Sequence, residues 1–113
     1  MFFLYDEDQN IIARSFFNKD VSNDICLRLV SIDNEFDQGK GYVTNLILNS
    51  FNLFFKDFDK KKIFLQSVKS AINFYKNLKI FHYASKKRYF YCDYRFFYEK
   101  TKDYEFLNWY KIS

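Results

Sequence analysis

The sequence predicts an α/β (α+β) fold in which a single mixed, mostly antiparallel sheet packs against two main helices. The chain has 113 residues, of which 49% are hydrophobic and 24% aromatic, so it is long enough to bury one core and too apolar to be disordered. Stretches with period-two alternation surround two stretches with helical periodicity, which favours a mixed sheet. We therefore expect residues 1–113 to form one domain.

The first three elements are predicted to be strands. Phe2–Tyr5 and Ile11–Phe17 are apolar and β-prone, and the acidic turn-forming residues 6–10 separate them, which predicts a hairpin. Ile25–Ile32 alternates, and the predicted faces are Ile25, Leu27 and Leu29 on one side and Cys26, Arg28, Val30 and Ile32 on the other. Because both faces are largely apolar, this strand is predicted to be central in the sheet.

The helical period begins after position 41. Apolar and small residues recur at helical spacing and predict a helix over about Tyr42–Phe55, with an inward stripe of Val43, Leu46, Ile47, Ser50 and Phe54. A short strand, Ile63–Gln66, precedes a second helical stripe formed by Val68, Ala71, Ile72 and Tyr75. The aromatic remainder predicts strands at Ile80–Ala84, Tyr89–Tyr98 and Phe106–Ile112.

Composition and charge exclude several classes of protein. The net charge of +4 is compatible with an anionic ligand without selecting one. Cys26 and Cys92 are too few for a disulfide scaffold and predict buried thiols in a reducing compartment. One histidine and no cysteine cluster predict no metal site. The N-terminus lacks the pattern of a signal peptide, and no apolar stretch approaches ~20 residues, so the sequence predicts a soluble, cytoplasmic protein without membrane contact.

The only two glycines of the chain, Gly39 and Gly41, lie in the stretch DQGKGYV between the predicted central strand and the first helix. The first turn of a helix has N–H groups without partners and carries the positive end of the helix dipole, so glycines before it let a phosphate approach. The spacing matches neither a P-loop nor the G-x-G-x-x-G motif, which needs glycine where Thr44 stands.

The stretch Gln38–Val43 resembles the Q/R-x-x-G-x-G/A motif of the GNAT superfamily of N-acetyltransferases, which lies between the central strand and the next helix. A second block, Ala71–Leu78, is similar to the superfamily's A-x-x-F/L-Y-x-x-L-G-F signature, with Ala71, Phe74, Tyr75 and Leu78 in register. The chain is identified as a small or N-terminally truncated member, without the usual first strand and two helices.

This resemblance implies an acyltransferase that moves the acetyl group of acetyl-CoA to a primary amine. The backbone of the glycine loop would bind the cofactor's pyrophosphate through Gln38, Gly39, Lys40, Gly41, Tyr42, Val43 and Thr44. The pantetheine arm would bind along Ser31, Ile32 and Asp33. Tyr75 would be the general acid, and with an ordinary pKa near 10 it is protonated at neutral pH; alternatively it is only a core aromatic. Asp33, Glu35 and His82 are the candidate bases, and none is preferred.

The acceptor is predicted to be a protein lysine, a protein N-terminus or a small amine. The missing elements form one wall of the acceptor site in the superfamily, so the chain is either a minimal member or one completed by a partner subunit, such as a second copy.

Val43 stands where the superfamily has a small residue, and Lys79 stands where it has glycine. These departures favour the alternative of a catalytically inactive GNAT-like interaction module. An RNA-binding protein is less favoured, because no RNP-type motif accompanies the basic runs at 60–62 and 86–88.

Overall fold

The computed structural model describes residues 2–5, 8, 10–19, 24–32, 41–57, 61–84, 88–106 and 111–112. The strands are β1 (Phe2–Tyr5), β2 (Ile11–Lys19), β3 (Ile25–Ile32), β4 (Lys62–Gln66), β5 (His82–Ala84), β6 (Tyr89–Asp93) and β7 (Lys111–Ile112). The helices are α1 (Tyr42–Asp57), α2 (Ile72–Leu78), which follows a 3-10 turn at Lys69–Ala71, and α3 (Tyr94–Lys100).

All seven strands belong to one sheet, in the order β5-β6-β4-β3-β2-β1-β7. Only the β3–β4 pair is parallel, and the other neighbours are antiparallel. The parallel pair is connected through α1, as parallel strands require a crossover. The predicted mixed, mostly antiparallel sheet is thus confirmed, and β3 is central as predicted.

The three helices pack on one face of the sheet, which we call the helix face. Phe51 of α1 is fully buried and contacts three other aromatic rings in this layer. Its ring centroid lies 5.8 Å from that of Phe17 on β2, 5.8 Å from that of Phe81 and 6.3 Å from that of Phe97 on α3. Aromatic pairs at such separations add attraction beyond the area they bury. The predicted inward stripe of α1 is confirmed, because Leu46, Ile47, Ser50 and Phe54 are buried and Val43 packs against the core.

Strand β3 contains a β-bulge at Arg28. On β2 the neighbours Phe16 and Phe17 pair with Leu29 and Leu27, so Arg28 is the extra residue. The simple alternation predicted for β3 is therefore wrong beyond this point: it places Val30 on the face of Cys26, but Val30 pairs with Ser15, which is buried on the helix face. One inserted residue exchanges the two faces of the strand that follows.

A helix replaces part of a predicted strand. The sequence predicts Tyr89–Tyr98 to be extended, but β6 ends at Asp93 and α3 begins at Tyr94. The Asp93 carboxylate accepts hydrogen bonds from the backbone N–H groups of Arg95 (2.9 Å) and Phe96 (3.4 Å), so it caps the helix. Phe106, expected to begin the last strand, has irregular backbone, and within that range the structure describes a strand only at Lys111–Ile112.

Buried polar side chains join α1 to the segment after β6. The amide nitrogen of Asn49 donates to the carbonyl of Asn45 (2.8 Å) and contacts the Tyr104 hydroxyl (3.1 Å), and the Tyr98 hydroxyl donates to the Asn52 amide oxygen (2.8 Å). Burying amides costs free energy unless they are hydrogen-bonded, and here they fix where the later segment lies on α1.

Both cysteines are buried free thiols, as predicted. Burial, with a smaller contribution from the neighbouring Asp93, raises the pKa of the Cys92 thiol, so this residue stays protonated and unreactive at neutral pH. None of the helices in the described part of the chain has the length and hydropathy to cross a membrane.

Candidate functional site

The sheet opens between its two parallel strands. Strands β3 and β4 are in register only at Ile25↔Ile63 and Cys26↔Phe64. Beyond that point β3 stays paired with β2 as far as Ile32, and β4 stays paired with β6 as far as Gln66. The two strands therefore diverge beyond Cys26 and Phe64, and a V-shaped gap, which we call the splay, interrupts the sheet.

A cavity of about 220 Å³ occupies the splay. Leu27 and Val30 line it from β3, Leu65 and Gln66 from β4, and Tyr75 from α2. The β3 edge beyond Cys26 is not paired with β4, so its backbone can hydrogen-bond an extended ligand as a strand would. Ser31 and Ile32 lie at the far end of this edge.

Tyr75 is held in the cavity wall by aromatic packing. Its ring centroid lies 5.7 Å from that of Phe81 and 5.5 Å from that of Phe90, which is buried on β6. Burial raises the pKa of Tyr75 above its usual value of 10.0, because a charged phenolate is poorly solvated there. Tyr75 is thus a protonated hydroxyl that lines the splay and also contributes to the core.

Helix α1 begins directly after Gly41. Gly41 has φ of 79°, in the left-handed region, and its carbonyl accepts the first helical hydrogen bond from the N–H of Asn45 (3.0 Å). The amides of Tyr42, Val43 and Thr44 then form the first turn, where N–H groups have no acceptor within a helix. Val43 packs against the core, so its branched side chain is directed into the protein.

Lys79 supports the register of the second sequence block. It ends α2 with φ of 59° and donates its N–H to the carbonyl of Lys76 (3.3 Å). This left-handed conformation is the one that favours glycine after a helix, and glycine is the residue expected there from the resemblance. The lysine therefore keeps the backbone geometry that the motif requires.

Val68 does not follow the predicted helical stripe. It precedes the 3-10 turn with extended backbone, and 66% of its surface is exposed. Because α2 starts only at Ile72, Val68 is displaced from the inward face and lies instead at the rim of the splay cavity.

A second cavity, of about 480 Å³, lies at the point where β3 and β4 diverge, on the face of the sheet opposite the helices. Its walls include Cys26 and Phe64, the last residue pair before the splay, together with Asp24 and the aromatic residues Tyr89 and Tyr91 of β6. Arg28, in the bulge, lines both cavities.

The structure places only some of the predicted site residues. Asp33, Glu35 and the loop residues Gln38, Gly39 and Lys40 lie outside the described residues. His82 is exposed on β5 and stacks on Tyr91, with ring centroids 4.8 Å apart. Across the described positions, no group of three or more His, Cys, Asp or Glu side chains is arranged to hold a metal ion.

Sequence reasoning missed Arg28 as a site residue. Its only signal was a positive charge within a largely apolar strand, which the predicted alternation assigned to one face of the sheet. The bulge that directs Arg28 to the two cavities depends on the pairing of β3 with β2. The residues of one strand do not reveal how that strand pairs with its neighbour.

The splayed sheet, the helix after the glycine loop and the tyrosine-bearing second helix define an α+β fold of the GNAT type. A GNAT-family acetyltransferase from Staphylococcus aureus Mu50 superimposes with a TM-score of 0.64 and 17% identity, over 80% of this chain and 65% of that one. A tyrosine-to-phenylalanine mutant of the AtaT toxin, bound to the C-terminus of the antitoxin AtaR and to acetyl-CoA, superimposes with a TM-score of 0.58 and 13% identity, over 79% of this chain and 62% of that one.

The chain therefore has a GNAT-like fold, which confirms the fold expected from the sequence. It spans slightly less than two thirds of the length of either solved structure. No protein-family model matches the chain, and no curated protein matches it by sequence.

Proposed function

We propose that the protein is an acetyl-CoA-dependent N-acetyltransferase in which the splay binds the donor and Tyr75 is the general acid. The observation that carries this proposal is the cavity between β3 and β4, because it joins an unpaired strand edge to a half-buried, protonated hydroxyl. The AtaT neighbour, which has the same fold, is bound to acetyl-CoA, and this supports the choice of donor.

The donor would bind in two places. The pyrophosphate would lie against the loop of Gln38, Gly39, Lys40 and Gly41 and the first amides of α1, where the helix dipole and free N–H groups favour anions. The pantetheine arm would extend along the β3 edge at Ser31, Ile32 and Asp33, making strand-like hydrogen bonds. The cofactor supplies the thioester, and the protein supplies position and water exclusion.

Tyr75 would return a proton to the departing thiolate. Its raised pKa keeps the proton on the hydroxyl at neutral pH, and the same apolar surroundings would raise the pKa of a thiol leaving group. The pKa values of the acid and of the leaving thiol would therefore rise together, and similar pKa values favour efficient proton transfer. The acceptor is a primary amine, on a small molecule or on a protein, that attacks the thioester directly.

Thermal unfolding with and without acetyl-CoA tests the donor site. Ligand at a hundred times its Kd should stabilise the folded chain by about 2.7 kcal/mol, and desulfo-CoA, which keeps the pyrophosphate, should give a similar shift. No shift at millimolar acetyl-CoA would rule out the enzyme and leave the non-catalytic interaction module.

Replacing Tyr75 tests the chemistry separately. Tyr75→Phe should lower kcat by about 10²-fold or more, the range of a lost general acid, while the acetyl-CoA-dependent shift persists. Tyr83→Phe is the matched control, because Tyr83 on β5 packs on Phe90 away from the splay cavity and should keep full activity. An unchanged kcat in Tyr75→Phe would remove this residue from the mechanism.

A protein partner is a further part of the proposal. The AtaT structure contains an antitoxin segment, which supports the view that a chain of this fold can bind another protein. A second copy of the chain could equally supply the wall of the acceptor site that the usual first strand and two helices form in the superfamily. Sedimentation of the purified chain tests self-association: a concentration-dependent dimer would favour a second copy, and a monomer at all concentrations would leave a minimal enzyme or a different partner.

A further inference from the structure

The second cavity has the position of an acceptor site. It borders Cys26 and Phe64, where the parallel strands part, and it shares the wall residue Arg28 with the splay cavity. A molecule in the second cavity would therefore approach a thioester in the splay from the opposite side. Its volume of about 480 Å³ lies within the range of small-molecule sites.

The walls of this cavity combine three kinds of chemistry. Phe64, Tyr89 and Tyr91 provide aromatic surface, Asp24 is the acidic residue and Arg28 is the basic one. Tyr89 is 44% exposed, although large aromatic side chains usually gain stability by burial. Neither a simple cation nor a simple anion matches walls that carry one charge of each sign beside apolar rings.

Arg28 is exposed, and a hydrogen bond to β2 directs its guanidinium group. Its Nε donates a hydrogen bond of 2.7 Å to the Asn18 side-chain oxygen on the adjacent strand, and the bulge fixes its backbone. This contact uses the Nε–H, so the terminal N–H groups of the guanidinium can bind a carboxylate in the paired geometry that arginine prefers.

We infer that the second cavity binds the acceptor and that the acceptor is a free α-amino acid with an apolar or aromatic side chain. Arg28 binds the carboxylate, Asp24 orients the α-amino group, and the aromatic residues contact the side chain. This inference rests on the proposed function, and it narrows the acceptor from any primary amine to one class.

The transfer balances without a further reactant. The α-ammonium group first loses one proton to solvent, and its nitrogen then attacks the thioester carbonyl carbon. The nitrogen loses a second proton to solvent as the C–N bond is completed and the C–S bond breaks. The thiolate takes the proton of Tyr75, which regains one from water. The products are an N-acetylamino acid, free coenzyme A and one proton.

Acceptor competition tests the inference. Coenzyme A release from acetyl-CoA would be followed with L-phenylalanine, with L-phenylalanine amide and phenethylamine, which lack the carboxylate, and with a lysine-containing peptide. We expect kcat/KM for L-phenylalanine to exceed that for phenethylamine by about tenfold or more, the effect of a charge-assisted hydrogen bond. Equal values for the two, or turnover of the lysine peptide alone, would overturn the inference and leave the acetyltransferase proposal intact.

Two substitutions assign the contacts. Arg28→Gln should lower kcat/KM for L-phenylalanine by about tenfold more than that for phenethylamine, while Arg95→Gln, the same change on the exposed surface of α3, should alter neither. Tyr89→Ala should reduce the preference for L-phenylalanine over glycine. Equal losses for both amines in Arg28→Gln would contradict carboxylate binding.

A binding measurement separates the two proposals. Calorimetric titration with L-phenylalanine alone should show binding to the wild-type chain that Arg28→Gln weakens, whether or not acetyl-CoA binds. Binding of L-phenylalanine without any response to acetyl-CoA would refute the proposed enzyme but support the site, and absence of L-phenylalanine binding in the presence of bound acetyl-CoA would refute the site alone.

Discussion

The two edges of β3 are built differently. Toward β2, the pairing runs from Ile25 to Ile32 and is interrupted only by the bulge at Arg28. Toward β4, the pairing ends after Cys26. The closed edge lies under α1, whose Phe51 and Phe54 pack on Phe17 of β2, whereas the open edge borders the splay cavity.

The two edges of β3 therefore have different roles: the edge toward β2 contributes to stability, and the edge toward β4 is available to a ligand. Beside the closed edge, Phe17 of β2 packs with Phe51 and Phe54 of α1 in the aromatic core. The open edge leaves backbone groups and cavity surface unused, which costs stability and is retained where a ligand repays it. We therefore expect substitutions at the closed edge to change the free energy of unfolding, and substitutions at the open edge to change the response to acetyl-CoA.

The largest effect is expected at Phe51. Phe51→Ala removes a fully buried ring that contacts residues of β2, α3 and the segment before β5, so the free energy of unfolding should fall by about 3–5 kcal/mol. Urea unfolding followed by far-UV circular dichroism measures this loss. If the variant is unfolded without urea, Phe51→Leu, which leaves a smaller void, provides the measurable intermediate.

Phe16→Ala is the matched control for Phe51. It deletes the same ring from the opposite face of β2, where Phe16 is 37% exposed, and should cost less than about 1 kcal/mol, as for exposed positions. Similar losses in the two variants would contradict the assignment of the stabilising core to the helix face.

An intermediate effect is expected at Gly41, at the start of the helix that covers the closed edge. No atom lies within 4 Å of the position that a Cβ would occupy, so the cost of Gly41→Ala comes from its φ of 79° and should be about 1–2 kcal/mol. The added methyl group would also point into the space where the pyrophosphate is proposed to bind, so the Kd for acetyl-CoA should rise by about tenfold.

Gly41→Asn separates the two effects. Asparagine tolerates the left-handed conformation better than alanine, so urea unfolding should show a smaller loss of stability, while fluorescence titration should still show weaker acetyl-CoA binding because a Cβ is present. Recovery of both properties in Gly41→Asn would indicate that only backbone strain mattered and that phosphate does not approach Gly41.

Patterns that depend on one strand or helix alone were predictable. The α1 stripe from Val43 to Phe54 is set by helical periodicity, and the glycine loop is recognisable because glycines before a helix serve a known physical purpose. The helical spacing of Ala71, Ile72 and Tyr75 also predicted that Tyr75 faces inward, and it packs against the core. Its proposed role as an acid comes from the resemblance and not from the spacing.

Features that depend on pairing or competition between elements were not predictable. The stretch Tyr89–Tyr98 is aromatic throughout and favours a strand by propensity, but the Asp93 side chain caps two N–H groups and begins a helix that buries Phe97. The bulge at Arg28 follows from register against β2. Tertiary contacts decide both outcomes, so the composition of the strands themselves carries no signal for them.

The smallest change in stability is expected at Val68, on the rim of the open edge. Val68→Ser should alter the free energy of unfolding by less than about 0.5 kcal/mol, because the side chain is 66% exposed and buries little apolar surface. The same variant should raise the Kd for acetyl-CoA several-fold, since Val68 lines the splay cavity and would cover the pantetheine arm. Urea unfolding and fluorescence titration of one protein sample measure both quantities. A loss of stability without a change in Kd would reverse the assignment, placing Val68 with the core and leaving the splay without a role in donor binding.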